Sequence, residues 1–213
     1  MINDIRRWQL LAGIVTDSTQ KQILKENALN VTNSVGYASQ RISSLQKEGE
    51  ALLKEKLGNN SELSQKFISN RIERDKDKAH ITIIFPGETR TVIDKILSDE
   101  MNKTPPNKIS KGQAMRSFGE KVQELGSSIG LSDSDIEAVG LGGLNNGTNE
   151  TWFMVLNWPS ADQFRINFAD KFGIKLGKQN FHITVGFNST DVHGPDITKD
   201  ASALDYVHDG RFE

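Results

Sequence analysis

Apolar residues recur along this chain in two rhythms, and the changes between them divide it into elements. Residues 8–15 (WQLLAGIV) form a continuous apolar run that reads as a buried strand, followed by Thr16, Asp17 and Ser18 as candidate helix N-caps. From 19 to about 57 the rhythm is helical, with Ile23, Leu24, Ile42, Leu45, Leu52 and Leu53 at helical spacings and a break at 30–36. A turn at Gly58, Asn59 and Asn60 leads into a capping-box pattern at 61–65 and a helix to about 72. The run RIERDKDK (71–78) mixes both signs of charge and reads as a solvated helix end and loop.

The rhythm then shortens to period two in KAHITIIF, a strand closed by the turn Pro86-Gly87. Helices are expected at 88–99 and 111–129, separated by Pro105-Pro106. Strands are expected at 136–144 and 151–157, joined through Asn145, Asn146 and Gly147 as a hairpin. Trp158, Pro159 and Ser160 start another helix with Phe164, Ile166 and Phe168 as its apolar residues, ending at Gly173. A second short strand, NFHITVGF, follows. The polar C-terminal stretch holds one short helix near 201–206. The two halves repeat this order in outline, which predicts an α+β protein of two similar lobes around a central groove.

The two short strands carry the same tripeptide, at His80-Ile81-Thr82 and His182-Ile183-Thr184. Side chains two apart in a strand share a face, so each His lies beside its Thr, while Ile81, Ile83, Ile183 and Val185 point to the opposite face and bury. A single H-x-T is a weak signal. Here two of only 4 His begin near-identical pentapeptides, HITII and HITVG, with Phe85 and Phe187 at the same offset. Brought together, the strands would supply a general acid, a general base and two hydroxyl donors, the equipment for displacement at phosphorus.

Composition narrows the field. At 213 residues, 36% hydrophobic and 25% charged, the chain has material for a core and the balance of a globular protein. Its net charge of −2, without a Lys/Arg block, disfavours long duplex DNA or RNA but allows a nucleotide or an RNA end. Cys is absent, which excludes disulfides, Cys-ligated zinc and thiol nucleophiles. The apolar run LLAGIV is too short for a signal peptide or a membrane span, so a cytoplasmic location and no membrane partner are expected.

The paired motifs His80-Ile81-Thr82-Ile83 and His182-Ile183-Thr184-Val185 resemble those of the 2H phosphoesterase superfamily, and the order of elements over about 8–193 is similar. The segment 157–194, NWPSADQFR…NFHITVGFNSTDVHG, is further similar to the Swiss Army Knife RNA repair-like branch. The resemblance implies a single bilobal, pseudo-twofold domain over 1–213, with antiparallel sheets lining a central groove and helices outside. The helical stretch at about 20–67 is then an insertion. It implies metal- and cofactor-independent cleavage of a nucleotide, oligonucleotide or RNA-end phosphodiester, first of all a 2′,3′-cyclic phosphate. Other branches imply cyclic or 2′,5′-linked oligonucleotide signals. On this reading His80 and His182 are catalytic, one activating water and the other protonating the departing ribose oxygen. Thr82 and Thr184 bind the non-bridging oxygens.

Other readings of the same residues compete. His80, His182, His193 and Asp191 are a candidate metal set, but no metal-binding spacing joins them. His193 beside Gly194-Pro195 reads as an exposed loop residue. The Gly-rich 140–147 lacks the P-loop Lys and reads as strand and turn. Tyr37, Trp8, Trp152 and Phe85 are candidates to stack a base, although aromatics in apolar strands usually belong to the core. A non-catalytic RNA-end binding module, or a helical interaction protein with an incidental repeat, would account for the chain without catalysis.

Overall fold

The computed structural model describes residues 28–58, 61–193 and 198–211. The strand expected at 8–15, the caps at 16–18, the helix expected from 19, the turn at 59–60 and the Ser61 side chain of the capping box lie outside the described residues. Two antiparallel three-stranded sheets and, among the described residues, five α-helices make an α+β architecture.

The first sheet is β1 (Ala28–Val31), β2 (Val35–Ala38) and β3 (Ile81–Ile84), in that order. Here helix was expected on both sides of a break at 30–36, and instead the flanking residues pair as strands. Leu29, Val35 and Tyr37 alternate into the core, and the 30–36 break is the turn of a hairpin in which Val31 pairs with Val35. Strand pairing to β3 outweighs the weak helical spacing there, since Tyr37 registers with Ile81 and Gly36 with Thr82.

Helix α1 (Gln40–Lys56) starts at Ser39, whose hydroxyl accepts from Ile42 N at 3.2 Å. Helix α2 is Ser61–Asp75. Both pack on the second sheet, β4 (Glu137–Asn145), β5 (Glu150–Asn157) and β6 (His182–Phe187). Two glycines permit this closeness. A Cβ at Gly49 would stand 2.6 Å from Val185 Cγ2, and one at Gly186 would stand 2.8 Å from the Phe67 carbonyl carbon.

Helix α3 (Pro86–Met101) begins at Pro86 itself, two residues earlier than expected; Pro suits the first helical position because its missing N–H has no partner there. Glu88 reaches back to accept from Phe85 N at 2.8 Å. Helix α4 (Lys111–Ser128) carries a Ser110/Gln113 capping box. Helix α5 (Pro159–Phe172) ends at Gly173 in the left-handed region, φ 60°. Its buried face is Phe164, Phe168 and Phe172, with Phe168 and Phe172 ring centroids 4.7 Å apart. Ile166, the other apolar residue read in this helix, is 55% exposed because it falls on the opposite face.

The β4–β5 hairpin turns through 146–149, close to expectation. The Gly-rich 140–147 is indeed strand and turn, and the C-terminal segment lies against it. A Cβ at Gly143 would stand 2.2 Å from Tyr206 Cδ1. The expected C-terminal helix reduces to a 3-10 turn, Ala201–Ala203. Among the described residues no helix is long and apolar enough to cross a membrane.

Candidate active site

Both motif strands are edge strands, β3 of the first sheet and β6 of the second, and they adjoin. The alternation read from the sequence holds on both. Ile81, Ile83, Ile183 and Val185 are buried in the core, while His80, Thr82, His182 and Thr184 line one cleft of about 190 Å³. Arg165 and Gln179 tie the strands together. Arg165 Nη1 donates to Ile83 O at 2.5 Å, and its Nη2 donates to Glu88 Oε1 at 2.9 Å and to Gly177 O at 2.7 Å. Gln179 Nε2 donates to Thr82 O at 2.9 Å. A residue of the Pro159–Phe172 helix and one just ahead of β6 thus hold the backbone of β3.

The two imidazoles are anchored alike. His80 Nδ1 lies 3.2 Å from Lys78 O and His182 Nδ1 lies 3.0 Å from Asn180 O. A carbonyl only accepts, so each Nδ1 carries hydrogen and, in the neutral ring, each Nε2 keeps its lone pair.

Their surroundings differ. His80 precedes the first residue of β3 and is exposed. His182 is half-buried, with the Phe153 ring edge-on at 5.8 Å. Burial first, and then the charge of Lys199, push its pKa down from 6.5 to about 4, against the pull of the Asn180 carbonyl and Asp191. His182 is therefore neutral at pH 7.

The hydroxyls are unequal as well. The Thr82 hydroxyl has no hydrogen-bond partner among the described residues. Thr184 Oγ1 lies 3.2 Å from Asp191 Oδ2, and a carboxylate only accepts, so the Thr184 hydrogen is directed at Asp191.

Asp191, weighed in the sequence only as a metal ligand, is the electrostatic centre of the cleft. Its side chain is 3% exposed. It accepts from Arg74 Nη1 at 2.7 Å and Lys199 Nζ at 2.7 Å, and lies 3.1 Å from His193 Nε2. Burial would raise its pKa, but the hydrogen bonds from His193, Lys199 and Arg74 and the Lys199 charge hold it far below the usual carboxylate range. Among the described residues, no group of three His, Asp or Glu side chains is arranged to hold a metal ion.

The run 71–78 is largely the solvated helix end and loop that its charges suggested, with its two arginines as the exceptions in role. Arg71 is 1% exposed; it pairs with Glu50, donates to Asp77 Oδ1 at 2.8 Å and, with the amide turned to accept, to Gln46. Arg74 lines the cleft. A signal was available: Leu63, Phe67 and Arg71 follow an i, i+4 register, so the apolar stripe of α2 runs straight into the charged run. Lys199 offered none, since it stands in a polar segment without periodicity.

Of the candidate stacking aromatics, Tyr37 and Trp152 are core, Phe85 is 41% exposed, and Trp8 is outside the described residues. Phe187 is buried under Arg74, whose guanidinium carbon lies 4.9 Å from the ring centre.

No curated protein and no solved structure matches this chain. A family profile described as Swiss Army Knife, 2H phosphoesterase domain, matches residues 44–193, a span that contains both His-Ile-Thr strands, Arg74, Asp191, α2 and most of α1. With both motifs intact and facing one cleft, the chain belongs to the Swiss Army Knife branch of the 2H phosphoesterases, and its activity is of the phosphodiesterase type.

Proposed function

We propose that this protein is a metal-independent phosphodiesterase that hydrolyses a nucleotide, oligonucleotide or RNA-end phosphodiester, first of all a 2′,3′-cyclic phosphate. The observation that carries the reading is the matched pair of imidazoles. Each comes from an edge strand of a different sheet, each is anchored through Nδ1 to a carbonyl two residues back, and both line one cleft. Such a pairing suits a bilobal, pseudo-twofold groove in which the histidines flank phosphorus from opposite sides.

The unequal surroundings break the symmetry of roles. His182, held neutral, takes a proton from water at Nε2 as the water oxygen bonds to phosphorus. His80, entering as imidazolium, gives its Nε2 proton to the ribose oxygen as the P–O bond to that oxygen breaks. The products are a phosphomonoester and a free ribose hydroxyl, with His182 now protonated and His80 neutral. Exchange with solvent restores both. The acid limb of kcat/KM then belongs to His182.

A second reading, a cyclic or 2′,5′-linked oligonucleotide signal as substrate, draws support from a neighbouring cavity of about 590 Å³ that shares Arg74, Asp191 and His193 with the cleft. The cleft alone is smaller than the roughly 300–1,000 Å³ of common ligand pockets. A cytoplasmic location and the absence of a membrane or long-duplex partner belong to the same proposal.

The test is product analysis over 2′,3′-cyclic nucleotides, 2′,5′ oligomers and cyclic dinucleotides, in excess chelator, with wild type, His80→Ala and His182→Ala. Turnover of one class is expected, lost by roughly 10²–10⁴-fold in each folded variant. Near-normal turnover in either variant removes that His from the mechanism. Binding without turnover of any class supports an RNA-end binding module instead, and activity lost in chelator and restored by one metal overturns metal independence.

A further inference from the structure

A phosphodiester in this cleft brings charged non-bridging oxygens, and the charge build-up in the transition state needs directed donors. The two threonines do not suffice. Thr82 has a hydroxyl without a partner among the described residues, but the hydrogen of Thr184 is directed at Asp191. Lys199 is unsuited as well, since its side chain is 5% exposed and its ammonium lies 2.7 Å from Asp191.

Arg74 meets the need. It lines both the cleft and the adjoining cavity, and its side chain is 36% exposed. Nε and Nη2 fork onto Asp75, at 2.6 Å to Oδ1 and 2.8 Å to Oδ2, and Nη1 donates to Asp191 at 2.7 Å. Phe187 supports the flat face of the guanidinium. A guanidinium carries five N–H donors, so three held by carboxylates leave one on each Nη for a ligand. Arg74 and Lys199 offset Asp75 and Asp191 in charge. What Arg74 offers an incoming anion is therefore oriented N–H bonds rather than surplus charge, and the orientation is set before substrate arrives.

We infer that Arg74 is the phosphoryl-binding residue of this cleft, donating its two free N–H groups to the non-bridging oxygens of the phosphodiester and doing the work that the sequence reading gave to Thr184. The inference rests on the two-histidine reading for its substrate, but not for its test. The adjoining cavity meets the cleft at Arg74, so a substrate longer than one nucleotide would pass this residue.

The experiment compares wild type with Arg74→Lys, Arg74→Gln and Arg74→Ala. Lys199 stays on Asp191 in each, so the buried carboxylate keeps a cation and the fold is expected to hold, as melting temperature checks. Arg74→Lys keeps the charge and loses the fork, and kcat/KM on uridine 2′,3′-cyclic phosphate is expected to fall about tenfold; Arg74→Gln is expected to fall on the order of 100-fold. Ethylguanidinium is expected to restore part of the turnover of Arg74→Ala and none of His80→Ala.

Affinity for inorganic phosphate, read by NMR line-broadening, is expected to weaken about tenfold in Arg74→Gln, and needs no turnover. If wild type cleaves no phosphodiester yet binds phosphate better than Arg74→Gln, the two-histidine reading falls and Arg74 stands. Equal phosphate affinity in the two proteins overturns the role of Arg74. So does a loss of activity that ethylguanidinium does not relieve and that tracks a lowered melting temperature.

Discussion

Holding His182 neutral has a cost in acid that can be measured without a substrate. The unfolded chain protonates this imidazole near its ordinary pKa of 6.5, while the folded protein resists until about 4. Between those values the unfolded state binds more protons, so stability falls as pH drops through 6.5 and the loss is complete near 4. A gap of that size corresponds to roughly 3 kcal/mol. Asp191 acts in a lower window. Its folded pKa lies below the unfolded 3.8, so its contribution is fully present above that value and is lost only in stronger acid.

The perturbation that isolates His182 is His182→Asn. It keeps a side-chain N–H for the Asn180 carbonyl and has nothing to titrate. Urea unfolding at half-unit steps from pH 7 to 4 gives the two stability curves, and their difference cancels every other titrating group that the variant leaves undisturbed. Wild type is expected to lose about 3 kcal/mol more than His182→Asn across that window, with the gap opening below about pH 6.5. Parallel curves would refute the argument, because His182 would then take its proton as readily in the folded state as in the unfolded one. The same result would strip it of its assignment as the neutral base.

Other perturbations test other parts of the site. Thr82→Val is expected to lower kcat with little change in KM, because its hydroxyl meets developing charge, whereas Thr184→Val acts through Asp191 and is expected to have the smaller effect on kcat; steady-state kinetics on the two variants should separate them. Arg165→Met strands Glu88 and the buried Ile83 carbonyl, and denaturant unfolding should show a loss of about 3–5 kcal/mol with reduced turnover, since β3 is no longer pinned beside β6. Gly186→Ala sets a methyl against the backbone of α2, which cannot move aside as a side chain can, and a loss of about 1–3 kcal/mol is expected in the same assay.

Sequence determined the chemistry of this protein more fully than its arrangement. The period-two pattern of HITII and HITVG fixed which face each side chain takes. A strand has only two faces, and Ile81, Ile83, Ile183 and Val185 can bury on only one of them. The helix start at Lys111 and the helix end at Gly173 were equally legible, because such signals are written within a few residues of the element that they close.

What the sequence left open depends on residues distant along the chain. The 28–38 segment became a hairpin because β3 was there to pair with it, and no local spacing records a partner strand. The mixed run at 71–78 is largely solvated, and charge pattern alone does not record that Gln46 and Glu50 enclose Arg71 or that Asp191 orients Arg74, because those partners lie on other elements. The two motifs are nearly identical on paper, and nothing in HIT distinguishes an acid from a base. Only folding placed Lys199 and Asp191 beside one copy and left the other open to solvent, because electrostatic environment depends on distance in space rather than on position along the chain.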